Sequence, residues 1–172
     1  DFPSSVIKDV SAEQPVTDIA NILKATRPKV VYTHNLADKH DTHVASALKV
    51  IAAIHTLPAA ERPQKLFGCE VWRDLDWMVD SDKVCFDLTS RENIQLALLG
   101  VFDSQISGGK RYDLASLGRR RANATYFESH GVDITTGLSF AMDLTPLIHA
   151  PENEIISYVQ EHIQRFADDV AD

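Results

Sequence analysis

Residues 29–54 change hydrophobic period once, and that change constrains the fold more than anything else in the chain. Lys29-Val30-Val31-Tyr32-Thr33 is short, apolar and β-branched, which reads as a buried strand. After a polar stretch from His34 to His40, the apolar residues Val44, Ala47, Leu48, Ile51 and Ile54 recur on one helical face. A buried strand feeding a helix through a short loop is the unit of α/β layer folds with a largely parallel sheet. Upstream, Thr17 and Asp18 open a helix with Ile19, Ile22 and Leu23 that Pro28 ends. Downstream, Lys65 to Trp72 and Val84 to Phe86 read as strands joined by the acidic stretch Asp74-Leu75-Asp76-Trp77. Ser90 is placed to cap a helix carrying Ile94, Leu96, Ala97, Leu98, Val101 and Phe102, which Gly108-Gly109 breaks. Arg111 to Glu128 reads as another helix, residues 131–148 (with Gly131, Gly137 and Pro146) as irregular, and Pro151 as the start of a last helix through Ile155, Ile156, Val159, Ile163 and Phe166. No repeat or linker divides the chain, so residues 1–172 are expected to form one domain. Three strands are few for so many helices, which hints that part of the sheet is missing.

Composition narrows the function classes. The 172 residues carry 17 Lys+Arg against 25 Asp+Glu, a net charge of −8. Nucleic acid is therefore disfavoured as a partner, because its affinity rests on phosphate neutralisation. A hydrophobic content of 44% with 24% charged residues is that of a globular chain. No apolar run reaches membrane-spanning length, and the first residues lack a signal-peptide pattern. Cys69 and Cys85 form neither a CxxC pair nor a disulfide framework, so reduced thiols in the cytoplasm are expected. The chain opens on Asp1-Phe2-Pro3 without Met, like a domain entered partway through.

The densest cluster of ligand-type residues is Thr33-His34-Asn35-Leu36-Ala37-Asp38-Lys39-His40-Asp41-Thr42-His43, where the strand ends and the helix begins. Ligands bind at that end of open α/β sheets. His40 and His43 are three apart across the helix start, so both imidazoles can face one spot, and the helix N-terminus favours their neutral form. Asp41 can orient one imidazole or serve as a helix cap; Asp38 is a candidate third ligand. A catalytic zinc needs three protein ligands and an open position, and on this chain alone the set looks incomplete.

Val30-Val31-Tyr32-Thr33-His34-Asn35 followed by Asp38-Lys39-His40-Asp41-Thr42-His43-Val44-Ala45 resembles the second signature of the PIG-L/LmbE-like zinc-dependent de-N-acetylases. The resemblance extends to Glu70-Val71-Trp72, to Asp87-Leu88-Thr89, and through Leu96-Ala97-Leu98 to Asp103-Ser104-Gln105, covering roughly residues 20–125 in the family's order. It implies a Rossmann-like three-layer fold with a mainly parallel sheet, here without its N-terminal strands. It also implies a hydrolase that removes acetyl from an N-acetylglucosamine-type sugar or a related amide. By the same resemblance His43 is a zinc ligand, and His40 polarises the amide carbonyl or protonates the leaving group. The family places its assisting carboxylate one position after Asp41, where this chain has Thr42. Its first signature, His-Pro-Asp-Asp, supplies a His ligand, an Asp ligand and the general base, and it occurs nowhere in these residues. The implied mechanism is zinc-assisted attack of water on the amide once that segment is supplied. The expectation is that the isolated chain is inactive.

Other features weigh less. Glu70 is placed to line the pocket wall, whereas Trp72, in a half-buried strand, is expected in the core. Ser104-Gln105 reads as scaffold hydrogen bonding. Lys110, Arg111 and Arg119 to Arg121 read as a solvated face or a subunit contact, although they suit an acidic sugar. Asn123-Ala124-Thr125 matches a glycosylation sequon, a coincidence in a cytosolic chain. His55, His130, His149 and His162 are expected at the surface. His40-Asp41 is also the dipeptide of HD-type metal phosphohydrolases, but that family is all-helical and the preceding strand tells against it. The rival of another class is a non-catalytic fragment or degenerate relative, retained for homo-oligomer contacts or for docking to a fused domain through an exposed sheet edge.

Overall fold

In the structure, a computed structural model, residues 2–127, 134–150 and 154–172 are described. Glu128, His130, Gly131 and Pro151, named above, lie outside them. The fold is α/β, with a four-stranded sheet in the order β1-β2-β4-β3. The strands are β1 (Val30–His34), β2 (Lys65–Cys69), β3 (Lys83–Asp87) and β4 (Leu138–Asp143). β1 runs parallel to β2, with Val30 opposite Lys65 and His34 opposite Cys69. β2 and β4 are antiparallel, with Phe67 opposite Asp143 and Cys69 opposite Ala141, so the sheet is mixed. The residue contacts divide the chain into two compact units, residues 1–84 with 141–172 and residues 85–140.

In the first unit, α1 (Ser4–Lys8) and α2 (Gln14–Thr26) precede β1, and α3 (Asp41–His55) follows it. Arg27 takes a left-handed conformation (φ 45°) and donates its amide to the Leu23 carbonyl, which ends α2 where Pro28 forbids another turn. α3 buries Ala47, Ile51, Ala53 and Ile54 but leaves Leu48 exposed. Each buried isoleucine contributes about 2 kcal/mol by removal of apolar surface from water. Lys49, also buried, donates its ammonium to the carbonyls of Asp9 (2.8 Å) and Ala12 (2.7 Å), fixing the end of α1 onto α3. At the other end of α3, Arg62 donates to the carbonyls of Leu57, His55 and Ile148, the last belonging to α7 (Thr145–His149).

Several expectations are corrected here. β1 is an edge strand, not a buried one: Val30 and Tyr32 are exposed, Tyr32 by 60%. β2 ends at Cys69, so Glu70 and Trp72 lie in the loop beyond it. The stretch read as irregular contains β4, an inner strand of the sheet with Phe140, Ala141 and Met142 buried. α8 (Ile155–Ala171) forms as expected, yet Ile156 and Ile163 are exposed and His162 is buried, its Nδ1 2.9 Å from the Tyr158 carbonyl. His55 is half-buried with Nε2 2.8 Å from the Leu147 carbonyl, whereas His149 is exposed as expected.

The second unit carries α4 (Glu92–Gly100), α5 (Asp103–Ile106) and α6 (Tyr112–Tyr126). Ser90 does not cap α4; it lies in a 3-10 turn, and the Asp87 carboxylate accepts from the Thr89 amide instead. α4 buries none of its residues, leaving Leu96 and Leu98 exposed, with Val101 and Phe102 just beyond it. The basic residues are solvated but paired: Arg111 grips Asp113 with two bonds, Arg120 donates to Gln95 (3.0 Å), and Arg121 pairs with Glu92. Asn123 is buried and donates to the Leu138 carbonyl, which removes it as a glycosylation acceptor. Among the described residues no helix is long and apolar enough to cross a membrane.

Candidate active site

The candidate residues are held by the loop between β1 and α3, and the loop is held by β2. Asn35 is fully buried; its backbone amide (3.0 Å) and side-chain amide (3.2 Å) both donate to the Cys69 carbonyl, while its Oδ1 accepts from the Ala37 amide. Gly68 makes this crossing possible. A Cβ there would stand 2.9 Å from Leu144 Cδ1, 3.0 Å from Asn35 Cα and 3.1 Å from the His34 carbonyl oxygen. Only a residue without a side chain lets the loop lie this close to the strand.

Asp38 organises the other side of the loop. Its buried carboxylate accepts from the backbone amides of His40 (3.0 Å) and Trp72 (3.0 Å), joining the β1–α3 loop to the segment after β2. Burial pushes this carboxyl up, but the amides of His40, Trp72 and Arg73 and the neighbouring His43 outweigh burial and hold it below the usual carboxylate range. Its Oδ1 is 3.6 Å from His43 Nδ1, close enough for charge attraction and too long for a hydrogen bond.

Around this carboxylate the loop assembles a column of rings. His34 stacks on His43 with centroids 4.1 Å apart and planes 6° from parallel; His40 follows at 4.7 Å from His43, and Trp72 lies 5.7 Å from His40. The Nδ1 atoms of His34, His40 and His43 are all buried without a hydrogen-bond partner. Buried polar atoms in that state are costly. Burial, then the neighbouring His43, lowers the pKa of His34, favouring its neutral ring.

His40 and His43 are thus brought together as their spacing predicts, and His34 joins them. The strand alternation that puts Val30, Tyr32 and His34 on one face was the signal for it. Asp41 is turned elsewhere. It is the first residue of α3 rather than its cap, its side chain is 72% exposed, and it accepts a hydrogen bond from Lys8 (3.1 Å) that lowers its pKa. Its Oδ1 stands 3.7 Å from His40 Nδ1, beyond hydrogen-bond length. Glu70 follows Cys69 at the end of β2, where burial first and the Glu70 charge second push the Cys69 thiol up to about 11. Trp72 is 41% exposed rather than in the core.

The residues present do not by themselves fit a zinc ion. Among the described residues no group of three His, Cys, Asp or Glu side chains is placed to hold a metal. The ring column explains this: an imidazole lone pair lies in the ring plane, so rings stacked 6° from parallel direct their lone pairs side by side rather than to one point. Asp38, the nearest carboxylate, is spent on backbone amides. Comparison with protein-family models, with curated proteins and with solved structures returns no match.

Proposed function

We propose that this chain contributes the histidine side of an amide-hydrolysing site, acting on an N-acetyl sugar or a related small amide. The observation that carries the reading is the imidazole column at the C-terminal end of β1, with buried, unpartnered Nδ1 atoms beside a buried carboxylate. A set of imidazoles at a strand end, preceding a helix N-terminus, is suited to binding and proton transfer.

In this reading His40, the more exposed of the pair with His43, donates a proton to the amide oxygen or the departing amine. His43, beside Asp38 and stacked with His34 and His40, is the chain's single contribution to a zinc site of the de-N-acetylase kind. Asp41 assists His40 only after a shift from Lys8, and Glu70 lines the pocket wall. The remaining ligands come from a segment carrying the His-Pro-Asp-Asp pattern. The edge position of β1 and its exposed Val30 support this, since an edge strand with apolar side chains is a place for another strand to join. A Rossmann-like three-layer fold with a mainly parallel sheet belongs to the same reading, the added strands extending the parallel β1/β2 pair.

The test is acetate release from N-acetylglucosamine with zinc present, for the chain alone and with a His-Pro-Asp-Asp segment fused ahead of it. Activity is expected only in the fused form, abolished with its zinc by His43→Ala. His40→Ala should keep the zinc and lower turnover by about 10²–10⁴-fold. A zinc-free, inert fused form rejects the reading and leaves the non-catalytic fragment as the better account.

A further inference from the structure

Trp72 is a large aromatic side chain beside the imidazole column and is 41% exposed. Its ring lies 5.7 Å from His40 at 57°, and its backbone amide is fixed by the buried Asp38 carboxylate. Val71 beside it is also exposed, in the same segment after β2 in which Leu75 and Met78 are buried. The other tryptophan of the segment, Trp77, has its indole nitrogen buried. An indole at the rim of a polar site, on a backbone held by Asp38, provides a flat apolar surface, as aromatic residues do in binding sites.

We propose that Trp72 determines specificity: its indole is the platform for the apolar C–H face of a sugar ring, placing the ring's N-acetyl group against His40. The inference rests on the amino-sugar reading above and adds the residue that selects a pyranose over an acyclic amide. A sugar presents hydroxyls at its edge and C–H groups on its face, so an aromatic plane next to hydrogen-bonding imidazoles matches both.

The experiment is a titration of the full 172-residue chain with the methyl glycoside of N-acetylglucosamine, up to about 100 mM. The indole N–H resonances of Trp72 and Trp77 and the ring resonances of His40 and His43 are followed by NMR. A saturable shift of the Trp72 indole together with His40, and a stationary Trp77, is the expected result. Trp72→Ala should then weaken binding at least tenfold by the His40 signal, whereas Trp72→Phe should stay within about threefold. N-methylacetamide, an amide without a ring, should bind Trp72→Ala and the unaltered chain alike. If the imidazoles shift while the Trp72 indole does not, or if Trp72→Ala binds the glycoside as well as the unaltered chain, the platform is overturned and the amide-hydrolase reading stands. If no resonance moves, the platform is overturned as well, and the hydrolase reading is decided separately by zinc-dependent acetate release in the fused form.

Discussion

Asp38 shows how one carboxylate can define a site without touching the reacting group. It ties the backbone of His40 and Trp72 together and stands behind His43. Because its folded-state pKa is lowered, it contributes stability that is fully present above the ordinary carboxylate range and is lost as pH falls through the folded-state value. Urea denaturation midpoints should therefore decline below about pH 4. Asp38→Asn should remove part of that acid limb and cost about 1–3 kcal/mol at neutral pH, since one backbone amide then faces an amide donor. The cysteines give an independent check at the same scale. The half-buried Cys69 thiol is pushed up to about 11, while Cys85 is exposed. A thiol reagent at pH 8 should modify Cys85 first, and equal rates would show that the β2 end is more open than the structure places it. At this scale the sequence was legible for His40 and His43, whose spacing alone brings them together. For Asp41, nothing local announces that Lys8, thirty-three positions away, donates to its carboxylate.

At the scale of elements, periodicity located α2, α3, β1, β2, β3, α6 and α8 within a few residues, whereas the single helix expected between Ser90 and Gly108 is two, α4 and α5. β4 escaped for a physical reason. Phe140-Ala141-Met142 is buried in an inner strand, yet alanine is depleted in strands and none of the three is β-branched, so neighbouring strands rather than local propensity make it extended. The exposure of β1 escaped too, since an apolar run reports that a surface wants burial and not that a neighbour is there to bury it. Gly68 is the test of how β2 carries the site. Gly68→Ala would press a methyl group into Leu144 and the His34–Asn35 backbone, at a cost of about 1–3 kcal/mol. Besides lowering the thermal midpoint, it should perturb the ring resonances of His34 and His43, because the displaced backbone carries one partner of the stack. A silent substitution would mean that the loop does not depend on this close approach.

For the whole molecule, the net charge of −8 is the ground for expecting no nucleic-acid partner. The α/β class was readable from strand–helix alternation. The mixed sheet was not, since β4, the strand that runs antiparallel to β2, lies in the stretch whose pattern read as irregular. The central claim is that His43 and His40 are this chain's share of an amide-hydrolysing zinc site whose other ligands lie in a separate His-Pro-Asp-Asp segment. The most direct measurement is zinc content together with acetate release from N-acetylglucosamine, compared between the chain alone and the chain fused to that segment. The account predicts bound zinc and turnover only in the fused form, both lost with His43→Ala; a fused form without zinc or turnover, or undiminished activity after His43→Ala, would contradict it.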